Sequence, residues 1–258
     1  LIVVTNDDGI RSPGLRALAR AMAEIGEVLV FAPRHQQTSM GRAFTGSGRV
    51  TPMNYRLNGK RVRAFAISAT PAIAVRNALI LYAARKPALV VSGINYGENV
   101  GNGVTISGTV GAAIEAASLG FPALAVSLET PPELHTTHSN SVDFAMAAFF
   151  AKKFAQRILA RGMPRGADVV KLDVPARARK STPWRWTRVS RHPYFRSRVI
   201  ETPRGKLLRG YELNLDHEEP EPDSDVRAVV MDGVVSVTPL TFDLTARVSA
   251  KERARWEK

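Results

Sequence analysis

Apolar residues fall into short blocks of two kinds, separated by polar or glycine-bearing segments. Residues 1–4, 27–32, 88–92, 123–128 and 169–172 are brief, nearly continuous apolar runs, the pattern of strands buried on both faces. Between them the spacing becomes helical. Leu15, Leu18, Ala19 and Met22 share one face, and Phe144, Ala148, Ala151, Phe154 and Ile158 repeat within 139–160. Ser12-Pro13 and Thr70-Pro71 read as helix caps followed by proline in the first turn, and Ser107-Gly108-Thr109 opens a small-residue helix that stops at Gly120. Asn58-Gly59 marks a hairpin turn between alternating residues near Val50 and Tyr55 and the run 62–67. Strands alternating with helices predict an α/β fold, a Rossmann-like doubly wound and mostly parallel sheet. Beyond Pro175 the periodicity weakens into an irregular arm rich in proline and arginine. Two strands, 226–230 and 234–237, are expected around Asp232-Gly233, and then a charged, helix-like tail over 243–258. The expected organisation is a core over 1–175, with a C-terminal β-hairpin arm, returning strands and a tail over 176–258 that serve oligomerisation.

Composition narrows this picture. A chain of 258 residues with 45% hydrophobic positions can form one large core with an appendage. No apolar run reaches the length of a membrane span, and no charged-then-apolar leader precedes the first strand, so a cytoplasmic protein without a membrane partner is expected. With no cysteine, disulfides and thiolate metal sites are excluded, which leaves oxygen and imidazole as metal ligands. The net charge of +13 raises nucleic acid as a partner. The charge is uneven, however. Arginines and lysines crowd 177–209, and Asp216, Glu218, Glu219, Glu221, Asp223 and Asp225 follow at once. Such paired blocks fit contacts within or between subunits at least as well as a phosphate-backbone footprint, and nucleic acid is the less favoured reading. Trp184 and Trp186 can stack on bases, but amid these charges an anchor for a subunit interface is favoured.

Candidate chemistry gathers at strand ends. Asp7 and Asp8 follow the first apolar run and precede Gly9. Neighbouring side chains diverge along a strand, but where the chain turns both can reach one point, and two carboxylates there repel unless a hard cation such as Mg²⁺ or Mn²⁺ lies between them. Asn-Asp-Asp-Gly is also good turn chemistry by itself. Two further polar loops follow strands, 36–39 with Thr38 and Ser39, and 92–97 with Asn95. Ligands of open α/β sheets bind at such carboxyl ends. The glycine-rich stretch 99–109 ends in Ser107, Gly108 and Thr109, whose amides and hydroxyls at a helix start suit an anion such as phosphate. It is neither a Walker loop nor a dinucleotide fingerprint. A metal site beside a phosphate cradle reads as phosphoester hydrolysis.

These residues carry a family resemblance. Thr5-Asn6-Asp7-Asp8-Gly9-Ile10 with Ser12-Pro13-Gly14, Ala32-Pro33 with Gln36-Gln37, residues 91–97, Ser107-Gly108-Thr109-Val110, residues 120–127 and residues 235–240 together resemble the SurE survival proteins. The resemblance runs in order from the start to about Leu244 and is weak across the arm. It implies a metal-dependent phosphomonoesterase, a nucleotidase of the 5′/3′ type that converts nucleoside monophosphates to nucleoside and phosphate. It also implies one divalent cation per subunit, and dimers or tetramers built through extended arms. The implied ligands map onto Asp7, Asp8, Asn95 and a hydroxyl of the second loop. The family has serine there, and alignment through Gln36-Gln37 favours Thr38 over Ser39. Asp7 and Asp8 are the candidate catalytic residues. Asn95, Asn99, Ser107, Gly108 and Thr109 are the candidates for phosphate and substrate.

Other residues are weaker candidates. His35 is read as a solvated loop residue, and His135 and His138, in a loop without a carboxylate partner nearby, are not expected to bind metal. Tyr96 is expected to pack on a neighbour rather than stack on a base, and Thr45 to close its loop. Two alternatives stay open at this stage. One is a nucleotide- or RNA-binding module without turnover. The other is a metal-dependent deacetylase, disfavoured because no histidine stands near Asp7 or Asn95 in the sequence.

Overall fold

The computed structural model describes residues 1–214 and 219–257, so Asp216 and Glu218 of the acidic block lie outside the described residues. The chain alternates as its periodicities require. β1 (Ile2–Thr5) leads through α1 (Pro13–Ala23) to β2 (Val28–Pro33). β3 (Gly46–Pro52), β4 (Tyr55–Leu57) and β5 (Lys60–Ala69) follow, with Asn58 and Gly59 both left-handed in the turn before β5. α2 (Pro71–Asn77), β6 (Leu89–Tyr96), α3 (Gly108–Ser118), β7 (Ala123–Leu128), α4 (Ala145–Arg161) and β8 (Val169–Val174) continue the alternation. The later part contains β9 (Trp184–Trp186), β10 (Phe195–Thr202), β11 (Gly205–Leu213), β12 (Val235–Leu240) and α5 (Ala250–Trp256).

The main sheet has ten strands in the order β3-β5-β2-β1-β6-β7-β8-β12-β9, with β4 alongside β5. The run from β5 to β8 is parallel throughout. β3 and β12 pair antiparallel with β5 and β8. The chain winds outward from β1 to β5, then returns to β6 and winds the other way, so the order reverses between β1 and β6. That switch point opens a crevice at the carboxyl ends of these two strands.

Successive strand residues face opposite layers, which divides the core in two. Val4, Val30 and Val91 pack with Leu15, Leu18 and Met22 of α1 and Phe150 and Phe154 of α4. Val3, Phe31 and Val90 pack with Val75 of α2 and Val110 and Ala113 of α3. Both faces of the strands are therefore covered, as their unbroken apolar runs require. Among the described residues, no helix is long and apolar enough to cross a membrane.

One expectation for the later part is corrected. Residues 226–230 are not a strand: Arg227–Met231 forms a wide helical turn. Val226, Val229 and Val230 meet one small cluster with Val100 and Tyr194, and their i, i+3, i+4 spacing satisfies that cluster only when coiled. The expected β-hairpin arm is formed by β10 and β11, which pair antiparallel. Most of its residues are exposed, so no alternation of buried and exposed positions marks these strands in the sequence. The returning strand β12 joins the main sheet between β8 and β9. Basic and acidic blocks pair within the chain, Arg188 with Glu221 and Asp223 and Arg227 with Glu219.

Candidate active site

The crevice is built on the turn after β1. Asn6 clasps this turn, accepting from the Gly9 amide at 3.1 Å and donating to the Gly9 carbonyl at 3.2 Å. Asp7 and Asp8 on the same turn are buried. Asp7 meets the start of α3, where the Thr109 hydroxyl donates to Asp7 Oδ1. A side chain at Gly108 would come within 2.7 Å of Asp7, so only glycine permits this approach. Burial raises the pKa of Asp7, although the Thr109 hydroxyl and the Gly108 and Thr109 amides pull it back in part.

Asp8 is held less completely. Gln36 Nε2 donates to Asp8 Oδ1 at 3.1 Å and also to the His135 carbonyl at 2.8 Å. Asp8 Oδ2 is buried with no hydrogen-bond partner among the described residues. Burial, then the adjacent Asp7 carboxylate, hold its pKa well above the ordinary carboxylate range.

Asn95, at the end of β6, turns its amide oxygen toward this pair. Its Nδ2 donates to the Tyr96 and Gly97 carbonyls at 3.1 and 2.8 Å, and its Oδ1 lies 3.3 Å from the Thr109 hydroxyl. The second loop is fastened by the Gln37 amide to the Asp7 carbonyl at 2.7 Å and by Arg42 to the buried Glu115 of α3 at 2.7 Å. Thr38 and Ser39 thereby line the same cleft as Asp7 and Asn95. Ser39 adopts a left-handed φ of 60°.

Beyond Asn95, a buried ionic cluster holds the glycine-rich loop. Lys171 of β8, fully buried, contacts Asp173 and lies 3.0 Å from Asp225. Asp173 accepts from the Asn99 amide at 2.8 Å, and Asp225 from the Gly101 and Ser190 amides at 3.2 and 3.0 Å. Burial disfavours the ammonium, but the two flanking carboxylates outweigh it and raise the pKa of Lys171. The Asn99 side chain donates to Ser127 at 2.9 Å. Ser107 accepts from the Val110 amide at 3.1 Å, as a helix cap.

The cleft encloses about 310 Å³ and reaches from Asp7 to a wall formed by Glu98, His135, Phe195 and Tyr211. Sequence reasoning did not find this wall. His138 Nε2 donates to the Asp8 carbonyl at 2.7 Å. His135 Nε2 donates to the Thr130 carbonyl at 2.9 Å, so Nδ1 accepts from the Tyr211 hydroxyl at 2.6 Å. Burial lowers the pKa of His135, consistent with a neutral ring. Gly97 is required beneath it, since a Cβ there would approach the ring within 2.5 Å. No signal in the sequence links loop 135–138 to Asp8. Tyr96 packs edge-on against Phe144 at 4.8 Å, and the Thr45 carbonyl takes the Thr70 amide at 3.1 Å. Trp184 packs on Phe154 at 5.3 Å, while Trp186 is exposed.

The donor set fits a hard divalent cation. Among the described residues no cluster of three or more His, Asp, Glu or Cys is placed to hold a metal. Here the oxygens are instead two carboxylates, an amide carbonyl and a loop hydroxyl, the type preferred by Mg²⁺ and Mn²⁺. A cation would answer both the bare Asp8 Oδ2 and the repulsion between the two acids.

Comparison with known proteins agrees with this architecture. The profile of the survival protein SurE family matches residues 2–196. The chain is 40% identical to the 5′-nucleotidase SurE of Methanothrix thermoacetophila, covering 97% of this chain and 96% of that protein. It is 39% identical to the 5′-nucleotidase SurE of Thermococcus gammatolerans, covering 96% and 92%. The crystal structure of a SurE protein from Aquifex aeolicus superposes with a TM-score of 0.77 at 28% identity, covering 100% of this chain and 99% of that one.

Proposed function

The chain belongs to the SurE survival protein family, and from that premise we propose that it is a metal-dependent 5′-nucleotidase releasing phosphate from nucleoside monophosphates. The observation that carries this reading is the pairing of two buried carboxylates, one oxygen of which is unpartnered, at the crevice between β1 and β6. Asp7, Asp8, Asn95 and Thr38 would hold the cation, Mg²⁺ or Mn²⁺, with Ser39 the alternative hydroxyl. When bound, the cation supplies Lewis acidity toward a phosphoryl oxygen and lowers the pKa of nearby water.

The chain's own groups do the rest. Asp8 accepts the proton of the attacking water and returns it to the nucleoside oxygen as the ester P–O bond breaks. Ser107, Gly108 and Thr109 at the positive end of α3, with Asn95 and Asn99, bind and orient the phosphate. Asp7, gripped by Thr109, fixes the geometry of the pair. The cleft wall excludes water around the nucleoside. Residues 1–175 serve as the catalytic core. Residues 176–258 contribute subunit contacts through the hairpin and tail, in a homodimer or homotetramer.

The test is phosphate release from a panel of nucleoside monophosphates with Mg²⁺, with Mn²⁺, and with chelator. Release that depends on the ion supports the reading. Nucleotide binding without release under every ion would replace it with a binding module.

A further inference from the structure

Glu98 is a buried carboxylate that the proposed hydrolysis does not use. It projects from the loop that begins just after Asn95, and it lines the same cleft. Only 4% of it is exposed, its Oε1 accepts from the Tyr194 hydroxyl at 2.7 Å, and its Oε2 is buried without a partner among the described residues. An acceptor in that state costs free energy unless something in the cleft donates to it. Around it stand aromatic rings of the hairpin. Phe195 lies 4.6 Å from Tyr194 and 5.1 Å from Tyr211, and both Phe195 and Tyr211 line the cleft. At about 310 Å³ the cleft matches the small end of the ligand-pocket range, enough for one mononucleotide.

Given the nucleotidase reading, on which this inference rests, we infer that Glu98 is a specificity-determining residue whose free oxygen accepts hydrogen bonds from the ribose hydroxyls, with Phe195 and Tyr211 flanking the base. Asp7, Glu98, Phe195 and Tyr211 line one cleft, so a nucleotide whose phosphate meets Asp7 turns its sugar and base toward Glu98 and the rings. A hydroxyl can donate to a carboxylate, whereas a deoxy position cannot, and it leaves the buried oxygen unpaired. Tyr194 holds Oε1, so Oε2 is the atom offered to the ligand.

The experiment compares binding of adenosine and 2′,3′-dideoxyadenosine at about pH 9, where Glu98 is ionised, followed by NMR titration of the full chain, in wild type, Glu98→Ala and Glu98→Gln. Wild type is expected to favour adenosine by about tenfold or more, the worth of one charge-assisted hydrogen bond. Both variants are expected to reduce that preference to within about threefold, on the same scale. Glu98→Gln retains an acceptor for Tyr194 and guards against a fold defect in the alanine variant. The inference is overturned if wild type binds both nucleosides equally or binds neither, or if the folded variants keep the preference. Absence of phosphate release from adenosine monophosphate would instead defeat the nucleotidase reading, and the binding ratio would still report on Glu98.

Discussion

Asp8 is held in a state that its surroundings make costly, since burial and the neighbouring Asp7 both disfavour its charge. Asp8→Asn removes that cost together with the oxygen ligand and proton acceptor proposed for this position. Turnover is expected to fall by roughly 10²–10⁴-fold, and Mn²⁺ binding measured by calorimetry to be lost, while the melting temperature does not drop. A variant that still binds Mn²⁺ would move the metal site elsewhere. Glu98 allows a prediction with a definite sign. Burial, only partly offset by the Tyr194 hydroxyl, pushes its pKa from 4.5 up to about 7, and the carboxylates of Glu129 and Asp173 add to the rise. Between those values the unfolded chain has lost the proton and the folded chain still holds it. Stability therefore falls as pH rises from about 4.5 to about 7 and then levels. Glu98→Gln removes this term, so its advantage over wild type should grow across that window, toward a ceiling of roughly 3 kcal/mol. Urea unfolding of both proteins at several pH values measures the gap. Parallel curves would refute it.

At the scale of elements, the start of α3 and the strand β8 each position part of the cleft. α3 brings Gly108 and Thr109 against Asp7 because position 108 has no side chain. Gly108→Ala should push Asp7 aside and weaken Mn²⁺ binding by roughly 10–100-fold, comparable to losing a supporting contact around a metal. Unchanged affinity would show that the two elements can separate without consequence. β8 contributes Lys171, which pairs with two buried carboxylates that in turn hold the amides of Asn99 and Gly101. Lys171→Ala leaves both charges uncompensated and should cost about 3–5 kcal/mol in denaturant unfolding. A loss below about 1 kcal/mol would mean that the acids take up protons and the cluster is not needed.

For the whole molecule, the exposed apolar residues lie mainly outside the parallel sheet. Val199, Leu207 and Leu208 on the hairpin, and Leu244 and Trp256 in the tail, are exposed in the single chain. Such surface favours burial against another copy. Leu208→Glu should shift the sedimentation profile toward smaller species if the arm builds the oligomer. An unchanged profile would assign that role to another surface. The charge of +13 does not demand nucleic acid, because part of the arginine-rich segment is already paired with acids of its own chain.

The α/β class, the early strands and α1 were legible in the sequence because their signals are local. Buried parallel strands need unbroken apolar runs, and helices need caps within a turn of their start. The acidic pair, Asn95 and the cap at Ser107 stood out for the same reason, since each sits at the edge of such an element. The rest depended on contacts between distant segments. His138 meets Asp8 across 130 residues, and Tyr211 meets His135 across 76. Nothing near any of these residues in the chain encodes its partner. The hairpin's strands could not be placed because strands exposed on both faces need no alternation, and the turn at 227–231 was missed because valine-rich stretches coil when one cluster buries them. Local chemistry thus determined which side chains could hold a cation. Packing of the sheet, its reversal at β1 and β6, and the return of the hairpin decided that they share a cleft with Glu98 and its aromatic wall, because only tertiary burial can bring such separated groups into one dry space.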